Sequence, residues 1–304
     1  MVIKDIAAFW KADKKQYVKE STYSAYSLLV LNHIIPFFGE KNDFVESDVQ
    51  EFVLQSLKAG LSEKTVKDIV VVIKMIQKFA VKKGYMILRP FDVSYPKSSK
   101  KAELAVMAKE DQKKLFEFAK ANFSFRNLGL AICLSTGLRI GELCGLKWSD
   151  IDAEEGTLRV QRTVQRLYKV EDDKRYTIIA IAEPKTRESN RVIPLSTELL
   201  RIIKPLMKVV NKDFFILSND KEPIEPRIYR NYYKKVIKEL DIPYLKFHGL
   251  RHSFATRCIE SKNSAKTVSV ILGHSNITTT MNLYVHPDNK EKKRCIERML
   301  KDIL

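Results

Sequence analysis

The 304-residue sequence has little glycine, proline and cysteine, with ten, ten and four residues respectively. The four cysteines are scattered and include no CxxC pair, which argues against a disulfide framework or a zinc knuckle. The reducing cytoplasm is therefore the compartment that we expect for this protein. No apolar run approaches the ~20 residues that span a bilayer, and no signal pattern opens the chain. Scarce glycine and proline beside abundant Lys, Leu, Ile and Val favour a helical, cytoplasmic protein that binds no membrane.

Basic residues are in excess and unevenly distributed. The formal net charge is +17, from 54 Lys and Arg against 37 Asp and Glu. Residues 1–93 hold 14 basic and 11 acidic residues, a net of +3, and the remainder has a net of +14. Such an excess suits a polyanion and sequence-independent phosphate binding. The alternative is a solvated, lysine-rich surface typical of the proteome of an AT-rich genome.

Apolar spacing predicts a four-helix unit in the first part of the chain. A capping box is expected at residues 47–50 (SDVQ), and Ser62 is expected to cap the longest helix. The four predicted helices cover residues 3–15, 21–38, 47–57 and 62–84.

Residues 90–101 (PFDVSYPKSSKK) break this helical pattern. Their two prolines, consecutive serines and clustered lysines indicate an extended, basic linker, although a plain surface loop has the same composition. We therefore predict a first domain over 1–93, a linker over 94–103 and a second domain over 104–304.

The second domain is predicted to be mostly helical with one small antiparallel β-sheet. Helices are expected over 109–122 and 125–135, and again from Thr197 onward. β-Branched segments predict three strands that share the sheet, and these cover residues 156–165, 176–182 and 190–195.

Two sequence motifs of the second domain each contain a basic residue that is a candidate for binding an anion or donating a proton. In TGLRIGEL (136–143) a Thr-Gly turn is expected to start a helix with Arg139 in its first turn, where backbone N–H groups favour an anion. In EPKTRESNRVIP (183–194) Lys185 is expected at an exposed hairpin tip between two strands. Each has a plain alternative, namely a solvated surface arginine and an ordinary turn lysine.

Two further features concentrate histidines. HGLRH (248–252) begins a helix and places His248 and Arg251 on adjacent parts of one face; it lacks the ligand spacing of a zinc site, so a structural histidine pair is the alternative. LGHS (272–275) contributes His274, and Tyr284 follows ten residues later. Most helical tyrosines are core residues, but four of the five histidines fall between residues 248 and 286.

These residue types together suit attack on a phosphodiester. Two arginines can hold its non-bridging oxygens and neutralise the charge of the transition state. A histidine can donate to the same oxygens or take the nucleophile's proton, a lysine can protonate the departing 5′ oxygen, and a tyrosine can form a phosphoester. This chemistry needs no metal and no nucleotide cofactor, and the sequence offers neither a carboxylate cluster nor a P-loop.

At these residues the chain resembles the tyrosine recombinase (phage integrase) family, whose motif is Arg … Lys … His-x-x-Arg … His … Tyr. The resemblance spans about residues 135–286, and the N-terminal helices agree in size and position with the family's core-binding domain. Glu142 matches the family's carboxylate three residues after the first arginine. The six matching catalytic positions are Arg139, Lys185, His248, Arg251, His274 and Tyr284.

The resemblance implies a mainly α fold, with an N-terminal four-helix core-binding bundle and a mostly helical catalytic domain containing a small antiparallel β-sheet. Because the first domain begins almost at Met1, we expect the two-domain type without a separate arm-binding domain. The implied reaction is metal-independent, site-specific DNA strand transfer, in which attack by Tyr284 leaves a 3′-phosphotyrosyl link and a free 5′-hydroxyl.

The implied partners are double-stranded DNA with paired recombination sites, held in a C-shaped clamp, and three further copies of the chain in a homotetramer. Residues 290–304 resemble the family's terminal helix that docks on a neighbour; a helix packed on its own domain is the alternative. An accessory directionality factor is a further possible partner of the family. The apolar side of this helix carries Ile296, Met299, Leu300 and Ile303.

Several functions use this machinery. We favour integration and excision of a mobile element, since these family features are commonest there, over DNA inversion or chromosome and plasmid resolution. A type IB topoisomerase shares the catalytic set but relaxes DNA as a monomer. A non-catalytic DNA-binding regulator is the rival from another class, and it predicts that a Tyr284→Phe variant keeps every activity.

Overall fold

The chain forms two compact units in the computed structural model. The first unit comprises Met1–Lys101 with Leu167–Ile178, and the second Ala102–Arg166 with Ile179–Leu304. Lys185 and most of the predicted linker over 94–103 lie outside the described residues, so the domain boundaries stay a prediction. The structure describes residues 1–96, 105–171, 174–183, 189–284 and 289–303.

The first unit contains the predicted helical bundle, with one interruption. The segment predicted as one helix over 21–38 contains a π turn, Val30–Ile34, which ends two residues before Pro36. Proline has no N–H to donate to the preceding turn and its ring crowds a carbonyl there, so a wider turn accommodates it. The helices are α1 (Ile3–Lys15), α2 (Glu20–Leu29), α3 (Ile35–Phe38), α4 (Glu46–Lys58) and α5 (Glu63–Lys82).

Of the two helix caps predicted in this unit, the cap of α5 is observed and the cap of α4 is not. The capping box predicted at Ser47 is wrong, because α4 begins one residue earlier and the Val45 N–H donates to Asp48 Oδ2 at 2.8 Å. The cap at Ser62 is confirmed, since its Oγ accepts the Thr65 N–H at 3.1 Å. Both helices bury an apolar stripe in the core of the first unit.

The second unit is mostly helical, as predicted. Helices α6 and α7 agree with their predicted bounds to within one residue, and α11 begins at His248 as expected. The helices are α6 (Lys109–Ala121), α7 (Phe125–Thr136), α8 (Ile140–Cys144), α9 (Thr197–Leu206), α10 (Pro226–Glu239), α11 (His248–Glu260), α12 (Ala265–Leu272), α13 (Ile277–Tyr284) and α14 (Asn289–Ile303).

The predicted antiparallel β-structure is confirmed, but the described strands form two small sheets and not one. The strand predicted over 156–165 is divided, because Gln161 and Arg162 both bind the buried Asp150 carboxylate, each at 2.5 Å, and the chain turns there. An antiparallel sheet has the order β1-β2-β5, and β3 pairs with β4. The strands are β1 (Ile151–Asp152), β2 (Thr157–Val160), β3 (Thr163–Glu171), β4 (Lys174–Ala182) and β5 (Arg191–Pro194).

This division also changes the expectation for Lys185. The strands on either side of it, β4 and β5, belong to different sheets, so they do not form the predicted hairpin. Lys185 itself lies outside the described residues.

Helix α7 is the centre of the second unit's core. It is buried almost all round, as a helix surrounded by other elements must be. A Cβ atom on its Gly129 would lie 2.2 Å from a Leu217 methyl carbon, so the packing leaves no room for a side chain. The helix ends at Gly137, whose φ of 65° lies in the left-handed region that favours glycine. The buried helix therefore fixes the position of the residues that follow it, including Arg139.

Two further findings concern only the residues that the structure describes. None of their helices is long and apolar enough to cross a membrane. They also contain no group of three or more His, Cys, Asp and Glu side chains that could hold a metal ion. The 20-residue α5 illustrates the first point, since lysines are spaced along its length.

Candidate active site

Three arginines from distant parts of the second unit converge on the C-terminus of α12. Arg139 Nη2 donates to the carbonyl of residue 273 at 3.3 Å, and Arg251 Nη2 to that of residue 272 at 2.8 Å. Arg191 Nε donates to the carbonyl of residue 271 at 2.6 Å. The last carbonyls of a helix have no partner within the helix and carry a partial negative charge, so cations stabilise them. Three consecutive carbonyls thus hold three positive charges next to His274.

Arg251 is the most enclosed of the three, with 1% of its surface exposed. Its Nη1 also donates to the Gly137 carbonyl at 3.0 Å. A Cβ on Gly137 would meet the Phe254 ring at 2.5 Å, so the close approach requires glycine. Burial, with the charge of Arg139, lowers the pKa of Arg251 to about 9, which leaves the guanidinium charged at neutral pH.

A buried carboxylate, Glu142, joins the other two arginines. Glu142 Oε1 accepts from Arg139 Nη1 at 2.8 Å, and its two oxygens accept from Arg191 at 3.2 and 3.0 Å. Burial by itself raises the pKa of Glu142, but the hydrogen bonds and charges of Arg191 and Arg139 outweigh it and leave the pKa lowered. The carboxylate is therefore ionised and fixes both guanidinium groups.

The position of Arg139 differs from the prediction. It precedes α8 as its N-cap residue, in extended conformation (φ −69°, ψ 148°), and does not lie in the first helical turn. Its N–H donates to Glu142 Oε2 at 2.9 Å, so the carboxylate three residues later closes the helix start. This geometry directs the side chain away from the helix axis and toward residue 273.

Arg191 is a site residue that sequence reasoning missed. It is 8% exposed and lies on β5. Arg191 and Ile193 are both buried on this strand, and Val192 between them is exposed. The signal was present in the predicted strand, since side chains at positions i and i+2 share one face. An arginine on the buried face of a strand requires a buried anion, here Glu142.

His274 and Tyr284 are linked through α13. His274 Nδ1 and Thr280 Oγ1 are hydrogen-bonded at 2.8 Å. Thr280 was not among the predicted site residues. It and Tyr284 are both buried and lie one turn apart on the same face of α13. Burial, with the charges of Arg251, Arg139 and Arg191, lowers the pKa of His274 to about 4. His274 is therefore neutral at physiological pH.

The Tyr284 phenol contacts a second histidine that was not among the six predicted residues. His252 Nδ1 lies 2.6 Å from Tyr284 Oη. The His248 and His252 rings meet edge to face with centroids 4.6 Å apart. Burial, followed by the charges of His248 and Arg251, lowers the pKa of His252 to about 4. Burial raises the pKa of Tyr284, against the opposing charges of Arg251 and Arg139.

Five of the six predicted residues therefore lie in one region of the second unit. Arg139 and Arg251 share the end of α12, His274 follows it, and His248 and Tyr284 join through His252. The sixth, Lys185, lies outside the described residues. A region rich in fixed positive charge, with a phenol at its edge, can bind a phosphate and bring a nucleophile to it.

A basic cleft of ≈630 Å³ continues from His248. It lies along α10 and the segment before α11, and both carry lysines or arginines into it. Tyr244, Tyr233 and Phe247 add aromatic surface. The cations that line the cleft are Arg227, Arg230, Lys234 and Lys246.

Comparison with known families and proteins identifies relatives of the chain. The phage integrase family matches residues 105–291, and the phage integrase N-terminal SAM-like domain matches residues 2–57. A XerC-like tyrosine recombinase of Caldanaerobacter subterraneus subsp. tengcongensis is 30% identical over 307 residues, covering 92% of this chain and 78% of its own. The transposase of transposon Tn916 from Enterococcus faecalis is 26% identical over 260 residues, covering 79% of this chain and 62% of its own.

Solved structures share the fold. The Tn1549 transposon integrase in complex with transposon right-end DNA superposes with a TM-score of 0.80 at 22% identity, over 99% of this chain and 100% of that chain. A λ integrase tetramer bound to a Holliday junction gives a TM-score of 0.66 at 15% identity, over 95% of this chain and 80% of that chain. With its family match over most of the second unit, the chain belongs to the phage integrase family of tyrosine recombinases, enzymes that cleave and rejoin DNA.

Proposed function

We propose that this recombinase integrates and excises a mobile element, and that Tyr284 is its nucleophile. The observation that carries the catalytic assignment is the meeting of Arg139, Arg191 and Arg251 on one helix end, beside a buried phenol. Arg191 and Arg251 are buried and Arg139 is partly exposed. Placing three guanidinium groups so close together is unfavourable unless an anion is bound there. Glu142 neutralises part of this charge, and a DNA phosphate would neutralise a further part.

Each residue receives a role from its position. Arg139 and Arg251 hold the non-bridging oxygens of the scissile phosphate, because guanidinium groups match two oxygens at once. His248 and His274, whose pKa values the charge of Arg251 helps to lower, donate to the same oxygens. Lys185 protonates the departing 5′ oxygen, and this role rests on the family resemblance. The product is a 3′-phosphotyrosyl bond at Tyr284 and a free 5′-hydroxyl.

The two predicted domains divide the binding of duplex DNA. We assign residues 1–93 to core binding and 104–304 to catalysis, and place DNA backbone along the basic cleft beside His248. Arg227 and Lys234, both on α10, would contact phosphates there. Binding should weaken by about tenfold or more between 50 and 200 mM salt, and Lys234→Gln should reduce the slope by about one counterion.

The terminal helix α14 supplies the contact for a homotetramer on paired sites. Its apolar side is exposed in the single chain, with Ile303 at 71% and Ile296 at 57%. An exposed apolar stripe on a helix is a docking surface for another chain. Among relatives, λ integrase forms a tetramer on a Holliday junction. An accessory directionality factor would bias the outcome between integration and excision.

A nicked suicide substrate tests the nucleophile. The protein should form an SDS-resistant DNA adduct, and tryptic mass spectrometry should place the bond on Tyr284. Tyr284→Phe should bind the same duplex with unchanged affinity and form no adduct. An adduct that persists in Tyr284→Phe, or none with the unaltered protein, would contradict the assignment.

The biological role has one rival with an observation behind it. The XerC-like relative favours resolution of chromosomes or plasmids, whereas the Tn916 transposase and the integrase ICEBs1 of Bacillus subtilis favour a mobile element. The DNA that flanks the gene can be cloned as direct repeats on a plasmid that expresses the protein. Release of a circle that re-integrates supports an integrase, while conversion of plasmid dimers to monomers at a single site supports a resolvase.

A further inference from the structure

His252 stands outside the family's motif yet is the residue that contacts the proposed reacting atom. It follows Arg251 on α11, and its Nδ1 lies 2.6 Å from Tyr284 Oη. A general base must lie within ~2.6–3.2 Å of the proton that it removes. Among the described residues, His274 cannot serve in the same way through Nδ1, because that atom is bonded to Thr280.

Tyr284 needs such a base. Burial raises the pKa of its phenol above the ordinary value of 10.0, so the proton is present at neutral pH. A neutral phenol is a weak nucleophile toward an anionic phosphodiester. The charges of Arg251 and Arg139 favour the phenolate, but they also bind the phosphate, which would offset part of their effect.

His252 has the protonation state that this task requires. The groups facing it are His248 and Arg251 on its own helix and Tyr284 on α13, and none of them is an anion at neutral pH. His274 lies near enough for the two histidines to affect each other electrostatically. Since the pKa of His252 is lowered to about 4, its ring is neutral and one of its nitrogens is free of a proton.

We propose that His252 accepts the phenolic proton of Tyr284 as the bond to phosphorus forms. The inference rests on the proposed role of Tyr284. The Oη–P bond forms while the P–O5′ bond breaks, and the proton moves from Oη to His252 Nδ1. The departing O5′ takes a different proton, from the general acid assigned to Lys185. In the rejoining step the 5′-hydroxyl attacks phosphorus and gives its proton back to the group assigned as general acid. The Oη–P bond breaks, and His252 returns its proton to the departing phenolate.

His252→Asn is the first variant that tests this proposal. An asparagine places an amide atom near the position of Nδ1, so it keeps a hydrogen bond but cannot hold a proton. Single-turnover cleavage of a suicide substrate should slow by about 100-fold, the usual contribution of a general base. DNA affinity and the unfolding midpoint should match the unaltered protein. His252→Gln is the second variant if His252→Asn lowers the midpoint.

A more acidic nucleophile separates proton transfer from structural support. With 2,3,5-trifluorotyrosine incorporated at position 284, less base assistance is needed. The rate loss in His252→Asn should then shrink by about tenfold, in line with Brønsted behaviour. Arg251→Lys is the matched control from the adjacent residue, and its loss should be the same with either phenol, because it concerns phosphate charge.

Two results would overturn the proposal while leaving Tyr284 as the nucleophile. In one, both His252 variants cleave at the rate of the unaltered protein. In the other, the trifluorotyrosine substitution leaves their loss unchanged, which makes His252 a structural support only. Failure of the parent assignment would look different, since the unaltered protein would then form no adduct at Tyr284.

Discussion

The two units of the molecule bury polar side chains in different ways. Among the described residues, the buried polar side chains of the first unit are all uncharged, namely Ser24, Ser27, Ser56 and Gln77. The second unit buries Glu142, Asp150, Arg191 and Arg251. Burial of a charge costs several kcal/mol unless partners compensate it. The first unit avoids this cost, whereas the phosphate site proposed for the second unit requires charged side chains.

The comparison also separates independent contacts from coupled ones. In the first unit Gln77 makes a single hydrogen bond to the Arg89 carbonyl at 3.0 Å. In the second, Glu142 binds two arginines that each also bind the end of α12. Substitutions in the first unit should therefore act separately, while those around Glu142 should affect one another.

The largest effect is expected from Arg251→Gln. Glutamine keeps a neutral amide donor at this position, but the positive charge at the proposed phosphate site is lost. Cleavage of a suicide substrate at saturating protein should fall by about 10³-fold, the scale of losing a fixed transition-state donor. Gln77→Leu in the first unit is the control and should cleave at nearly the normal rate. Equal losses in the two variants would show that the buried charge has no special role.

The next effect is on stability, at the Glu142–Arg191 pair. Arg191→Met leaves a buried carboxylate with one partner fewer, and should cost about 3 kcal/mol of unfolding free energy in urea titrations. The double variant Arg191→Met with Glu142→Met should recover part of that loss, because no uncompensated charge remains. Additive losses in the double variant would contradict the coupling inferred for the second unit.

A smaller effect concerns pH. His252 and His274 have pKa values lowered to about 4, against an ordinary value of 6.5. Between those pH values the unfolded chain binds protons that the folded chain does not, so stability should fall as the pH is lowered from 6.5 toward 4 and stay level above 6.5. Urea titrations at pH 7.5, 6.5 and 5.5 measure the slope. His252→Asn combined with His274→Asn should flatten it, and an unchanged slope would assign the loss to other groups.

The smallest effect is expected at a local contact in the first unit. Ser62→Ala removes the hydrogen bond to the Thr65 N–H at the start of α5, and should cost about 1 kcal/mol. Thermal unfolding measures it, with Ser47→Ala as the matched control, because Ser47 lies next to a helix start that Asp48 closes instead. A loss at Ser47 comparable to that at Ser62 would argue against the observed cap of α4.

Local sequence patterns predicted most helices, because the residues that cap a helix or share its apolar face lie only three or four positions apart. The cap at Ser62, the bounds of α7 and the start of α11 all follow from such spacing. One error, the undivided strand, arose because a side chain outside the predicted segment intervened. Asp150 divides the strand predicted over 156–165. Because Asp150 lies outside that segment, the pattern of the segment itself gives no sign of the break.

The proposed catalytic positions were identified by family resemblance, and the carboxylate at residue 142 came with them. His252 and Arg191 did not, because each is defined by a partner far away in the sequence. His252 and Tyr284 are 32 residues apart, and Arg191 and Glu142 are 49 apart. No periodicity relates positions at such distances.

The sequence by itself determined the helical character of both units, the basic charge and the set of residue types able to attack a phosphodiester. Tertiary structure alone decided that Arg139, Arg191 and Arg251 meet at the last carbonyls of α12. Those contacts span 134, 80 and 21 residues of sequence. The physical reason is that unpaired carbonyls at a helix end attract cations wherever the core places them, and only the packed core determines which cations those are.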